Sequence, residues 1–143
     1  MHRPNLGVVL ADSRRARILL RHNGGGMEPI QALSREGEPR FIHDTRGRVF
    51  ESATSARHAL APRMGRADEH RRAFAREIAE AVDAAVARGT VKCLVLAAPS
   101  RLLNEVRAQL GERSRKVIVG EIQKDLTRES EAELEHRLSE LMI

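Results

Sequence analysis

The stretch FAREIAEAVDAAVARGTVKCLVLAAPSRLLNEVRAQLGERSRKVIVGEI, residues 74–122, decides the fold class. Phe74, Ile78, Val82 and Ala85 recur at helical spacing, with Asp68 as a candidate N-cap and Gly89 as a terminator. Lys92–Ala97 (KCLVLA) is a short apolar run suited to a buried strand. Pro99-Ser100 then opens a second helix, with Leu102, Leu103, Val106 and Leu110 inward and Gly111 closing it, and Lys116–Ile122 (KVIVGEI) reads as another strand. Alternating helix and strand units imply parallel pairing, because a crossover helix returns the chain to the same end of the sheet.

Upstream the pattern is different. Leu6–Ala11 (LGVVLA) is an apolar run, Asp12-Ser13-Arg14 breaks it, and Ala16–Leu20 (ARILL) resumes a strand pattern. Asn23-Gly24-Gly25-Gly26 supplies residues that tolerate positive φ, and Met27–Leu33 follows. Three short strands separated by turn chemistry make an antiparallel meander. The triple glycine is a hairpin tip rather than a phosphate-cradling loop, since no Lys-Ser/Thr follows it. Downstream, Ser130-Glu131-Ala132-Glu133 is a capping box, and Leu134, Leu138 and Leu141 line one face of a last helix. The order is βββ–loop–αβαβα. It predicts an α/β domain over residues 1–143, a mixed β-sheet with helices on both faces.

Between meander and first helix lies a long segment, about residues 38–67. The stretch FIHDTRGRVFESATSARHALAPRMGRADEHRR (41–72), which spans most of it and runs on past its end, fits neither a strand period nor a helix period until its last residues. Structureless connections beyond about 12–15 residues tend to be functional or disordered. Residues 40–72 carry eight arginines against four acids. Arg46, Arg48, Arg57, Arg63 and Arg66 are therefore the candidate nucleic-acid-binding residues, and residues 43–66 are expected to protrude from the sheet. Base stacking has only Phe41 and Phe50 available in this loop, which favours tracking of phosphates over reading of bases.

Composition narrows the remaining classes. Arginine supplies 22 of the 25 basic side chains, and the formal net charge is +5. Planar guanidinium forks suit phosphate and carboxylate. The excess sits in the first half: residues 1–66 hold 12 basic and 6 acidic side chains, whereas residues 121–143 hold 3 and 7. With three Phe, no Tyr and no Trp the core is aliphatic. The single cysteine, Cys93, is expected as a buried structural thiol. No apolar run reaches membrane-span length and no signal-like segment opens the chain, so a cytoplasmic protein without membrane insertion is expected.

Catalytic constellations are thin. Asp12, with Ser13, is read as a turn former just past the first strand, and Asp125 as a helix-entry residue in preference to a site acid. His43, Asp44, His58 and His70 match no compact metal-ligand spacing, so no metal or other cofactor is expected. Ser52, Ser55 and His58 lack the Gly-x-Ser-x-Gly elbow that exposes a nucleophile.

Several blocks in one order carry a resemblance. They are ADSRRARILL (11–20), HDTRGRVFESA (43–53), RHALAPR (57–63), HRRAFAREIAEAV (70–82), LVLAAPSRLLNEVRAQL (94–110) and VGEIQKDLTRESEAELEHRL (119–138). Together they resemble the bacterial host-attachment protein family, which is similar to the middle domain of archaeal and eukaryotic class-one peptide-chain release factors. The resemblance implies a ribonuclease-H-like three-layer fold. It places Gly65–Glu69 (GRADE) at the loop tip where release factors carry Gly-Gly-Gln, a tripeptide this chain lacks, so their hydrolytic activity does not carry over. A non-catalytic binding protein is expected, with RNA or the ribosome as partner through the arginine-rich loop. The alternative is a protein–protein adaptor acting indirectly in host-cell attachment, and the third reading is a weak peptidyl-tRNA hydrolase.

Overall fold

The computed structural model describes residues 5–22, 26–35 and 60–141, apart from the side chains of residues 60–64. The strands are β1 (Leu6–Ala11), β2 (Arg15–Arg21), β3 (Met27–Ser34), β4 (Cys93–Ala97) and β5 (Ile118–Ile122). The helices are α1 (Leu60–Ala87), α2 (Ser100–Gln109), α3 (Glu112–Lys116) and α4 (Glu131–Leu141). The sheet order is β3-β2-β1-β4-β5. The β1–β2 and β2–β3 pairs are antiparallel, whereas β1–β4 and β4–β5 are parallel. This is the mixed sheet that the two halves of the sequence require.

Alternation along the central strands divides the core into two layers. Val9 and Ala11 of β1, Ala16 and Ile18 of β2, and Leu94 and Leu96 of β4 pack with α1 and α2. Leu6, Val8, Leu10, Leu19, Val95 and Ala97 face the other way, against Leu126, Leu134 and Leu138. A strand buried on both faces needs a continuous apolar run, which is how LGVVLA and CLVLA read. Phe74, at 0% exposure, is the largest fully buried side chain. Gly7 lets β1 approach the α1–β4 connection closely, because a Cβ there would lie 2.8 Å from both Val91 methyl groups.

Helix α1 ends as its sequence predicts. Gly89 has φ +80°, its N–H donates to the Val86 carbonyl at 3.0 Å, and the Thr90 N–H donates to the Ala85 carbonyl at 3.1 Å. This is a Schellman ending, in which glycine takes the left-handed position. The α4 capping box also forms: the Ser130 N–H donates to Glu133 Oε1 at 2.8 Å, and the Glu133 N–H to Ser130 Oγ at 3.1 Å. At the β2–β3 hairpin the His22 N–H donates to the Gly26 carbonyl at 3.0 Å, with Gly26 at φ +87°.

Several expectations need correction. The long loop does not run to residue 67, because α1 begins at Leu60. Pro62 falls in the first turn, where a missing N–H breaks no helical bond, and Gly65 is tolerated inside the helix at a cost of about 1 kcal/mol. Asp68 is accordingly not an N-cap but an interior residue paired with Arg71 at 2.8 Å, and Gly65–Glu69 is helix rather than a loop tip. Gly111, read as the end of α2, is the N-cap of the unforeseen α3, so the last strand starts at Ile118 instead of Lys116. Five polar residues show no apolar period; α3 is fixed instead by Asp83 of α1, which accepts from Gly111 N–H at 3.1 Å and from Ser114 Oγ at 2.5 Å. Finally, Cys93 is half-buried at the first position of β4, and Leu141 is 36% exposed, lying over Gly120.

Candidate nucleic-acid interface

The carboxyl ends of β1, β4 and β5 and the start of β2 share one end of the sheet. There Asp12 makes the β1–β2 turn: its Oδ1 accepts the backbone N–H groups of Arg14 and Arg15, both at 2.8 Å. Such a side-chain turn is the short-range role expected of Asp12. Asp125 does likewise after β5, accepting from the Thr127 N–H at 2.9 Å and from Thr127 Oγ1 at 2.5 Å. Thr127 also links the turns, with Asp12 Oδ2 3.4 Å from its hydroxyl and Arg17 Nη2 donating to its carbonyl at 3.0 Å. Both aspartates are thus committed to backbone geometry. Among the described residues no group of three or more His, Cys, Asp or Glu is placed to hold a metal ion.

The long loop starts and finishes at this same end. Its departure follows Arg35, whose N–H donates to the Arg14 carbonyl at 2.8 Å and whose guanidinium pairs with Glu77 of α1 at 2.6 Å. Its return is α1, which reaches the Asp12–Arg15 turn through His70: Nε2 lies 3.2 Å from the Ser13 carbonyl. The His70 ring also packs near Phe74, with centroids 6.5 Å apart. From His70 back to Leu60 the helix rises about 15 Å. The first turns of α1 therefore project past the end of the sheet.

Of the predicted binding residues, Arg46, Arg48 and Arg57 lie outside the described residues. Arg63 belongs to the projecting part of α1, and Arg66 is exposed one turn later. Several other arginines are held by carboxylates. Arg21 pairs with Glu135 at 2.8 Å, and Arg107 grips Glu121 through Nε and Nη2, both at 2.9 Å. That second pair joins α2 to β5, and its hydrogen bond, reinforced by the charge of Glu121, raises the Arg107 pKa. At the entry to α4, Arg137 donates to Glu129 at 2.7 Å and holds that carboxyl below its ordinary range. By contrast, Arg14, Arg15, Arg66, Arg72, Arg76, Arg113 and Arg115 have no ion-pair partner among the described residues. Arg72 and Arg76 fall outside the predicted set, although their position opposite Phe74 and Ile78 in the helical period marks them as solvent-facing.

An α/β domain with exposed arginines at one end of its mixed sheet is the class that this geometry defines. The chain belongs to the family described as "protein required for attachment to host cells", whose model matches residues 7–138. No curated protein matches the sequence. Among solved structures it is similar to an archaeal translation termination factor, at 16% identity and TM-score 0.46, over 96% of this chain and 38% of that one. A second archaeal protein gives 17% identity and the same TM-score, again over 96% of this chain and 38% of the other. The chain thus spans well under half the length of the structures it matches. No helix among the described residues is long and apolar enough to cross a membrane.

Proposed function

We propose that this protein is a non-catalytic binding module that contacts RNA, as free RNA or on the ribosome, through arginines of the 36–59 segment and the adjoining end of the sheet. The observation that supports this reading is positional. The described chain stops at Arg35, beside the Asp12–Arg15 turn, and resumes at Leu60 on the projecting start of α1, so the segment whose sequence holds Arg40, Arg46, Arg48 and Arg57 is joined to the fold at the end that carries Arg14 and Arg15. Cations gathered at one end can each neutralise a phosphate, and the affinity of such a surface falls as salt rises. A ribosomal partner is what the release-factor resemblance of the sequence implies. The test is sedimentation of tagged protein with ribosomes over a salt series, with and without nuclease. Retention at low salt, lost at high salt and after nuclease, supports the reading. Retention that survives both treatments refutes it in favour of a protein partner.

A further inference from the structure

A second cationic surface lies on the outer side of the layer formed by α1, α2 and α3. Arg66, Arg72 and Arg76 are exposed on α1, and Arg113 and Arg115 on α3. Asp83 fixes α3 to the same flank of α1 that carries Arg72 and Arg76. At 3.6 residues per turn Arg72, Arg76 and Asp83 share one flank of α1, so Arg72 and Arg76 form a rigid row that leads to α3 with its Arg113 and Arg115, while Arg66 stands about a quarter turn round the helix from it. The exposed acids there are Glu69, Glu80 and Glu112, and Glu112 is engaged by Lys116 at 3.7 Å. The opposite layer leans the other way: Glu129, Glu131, Glu133, Glu135 and Glu140 stand against Lys124, Arg128 and Arg137, with Arg21 reaching over to Glu135. A polyanion would be drawn to one face of this domain and repelled from the other.

The same surface says what form the polyanion takes. Single strands are gripped largely by stacking, about 1–3 kcal/mol per base on an aromatic platform. The chain has no Tyr or Trp, and Phe74, the one phenylalanine among the described residues, is fully buried. Guanidinium groups on fixed helices read phosphates that are themselves fixed, as they are in a duplex. Double-stranded RNA is recognised in this way, by shape and backbone rather than by base edges. We propose that Arg72, Arg76, Arg113 and Arg115 form a surface that holds the phosphate backbone of double-stranded RNA. This rests on the RNA reading above and extends it from the loop to the helical face.

The test uses the full chain and a labelled RNA duplex of about twenty base pairs, with each of its strands alone, followed by fluorescence anisotropy over a potassium chloride series. The duplex is expected to bind at least about tenfold tighter than either strand. Arg72→Ala with Arg76→Ala should weaken duplex binding and lower the salt slope by about two, one for each lost phosphate contact. Arg88→Ala with Lys92→Ala removes the same charge from exposed positions beyond the far end of that row, and should leave the slope unchanged. Far-UV circular dichroism checks that each variant is folded. Strands bound as tightly as the duplex overturn this inference and leave the RNA reading standing. Equal losses in the two double variants overturn the assignment to this face, and no binding of either RNA form overturns this inference while the ribosome sedimentation above decides the RNA reading by itself.

Discussion

Replacing Gly65 by alanine should stabilise this protein, whereas the same change at Gly89, at the other end of the same helix, should destabilise it. Gly65 is helical, and a Cβ there meets nothing within 4 Å. The change therefore leaves packing alone and acts through the backbone, where alanine is favoured over glycine by about 0.8–1.0 kcal/mol in a helix interior. Position 65 is only in the second turn, so the gain is scaled by how fully that turn is formed; about 0.5–1 kcal/mol is expected. Gly89 also has open space around its Cβ position, but its φ is +80°. An L-residue in that region costs about 1–2 kcal/mol, less the few tenths recovered from a stiffer unfolded chain, for a net loss of about 1 kcal/mol. With no Trp or Tyr in the chain, urea unfolding is best followed by far-UV circular dichroism. A neutral or destabilising Gly65→Ala would refute the helical extension of α1 and restore the loop that the Pro62 and Gly65 pattern suggests.

Gly7→Ala should cost about 1–3 kcal/mol in the same assay, because its Cβ would stand 2.8 Å from the methyl groups of the buried Val91, which has little room to move. A change below about 0.5 kcal/mol would show that β1 and Val91 repack freely. Arg137→Gln should make stability less dependent on acid. Glu129 is held below its ordinary pKa, so its contribution is present above the unfolded value of about 4.3 and is lost as pH falls through the lower folded value. The stability gap between wild type and variant should therefore be widest near neutral pH and close as pH falls through that lower folded value, and a gap that is flat with pH would contradict the pairing.

The elements most legible in the sequence are those in which apolar period and terminators agree. Phe74, Ile78 and Val82 announce α1, Gly89 its end, and Ser130 with Glu133 the start of α4. The errors arise where a local signal is overruled from a distance. Pro62 and Gly65 look like breakers, yet a proline in a first turn and one interior glycine are too weak to stop a helix anchored farther along by Phe74 and Ile78. Helix α3 has no signal of its own, since Asp83, nearly thirty residues upstream, holds its first turn. The candidate interface is legible only in part. Arg66 is exposed on α1, but the pairing of Arg21, Arg107 and Arg137 with carboxylates, which separates structural arginines from available ones, depends on contacts between elements that no local pattern records.

The salt dependence of RNA or ribosome retention tests the phosphate-binding role of the loop most directly. Wild-type protein and the Arg46→Ala, Arg48→Ala, Arg57→Ala, Arg63→Ala quadruple variant would be compared by the logarithmic slope of affinity against potassium chloride. A slope shallower in the variant by up to about four, one for each lost phosphate contact, is the predicted result. An identical slope in the two proteins would contradict it.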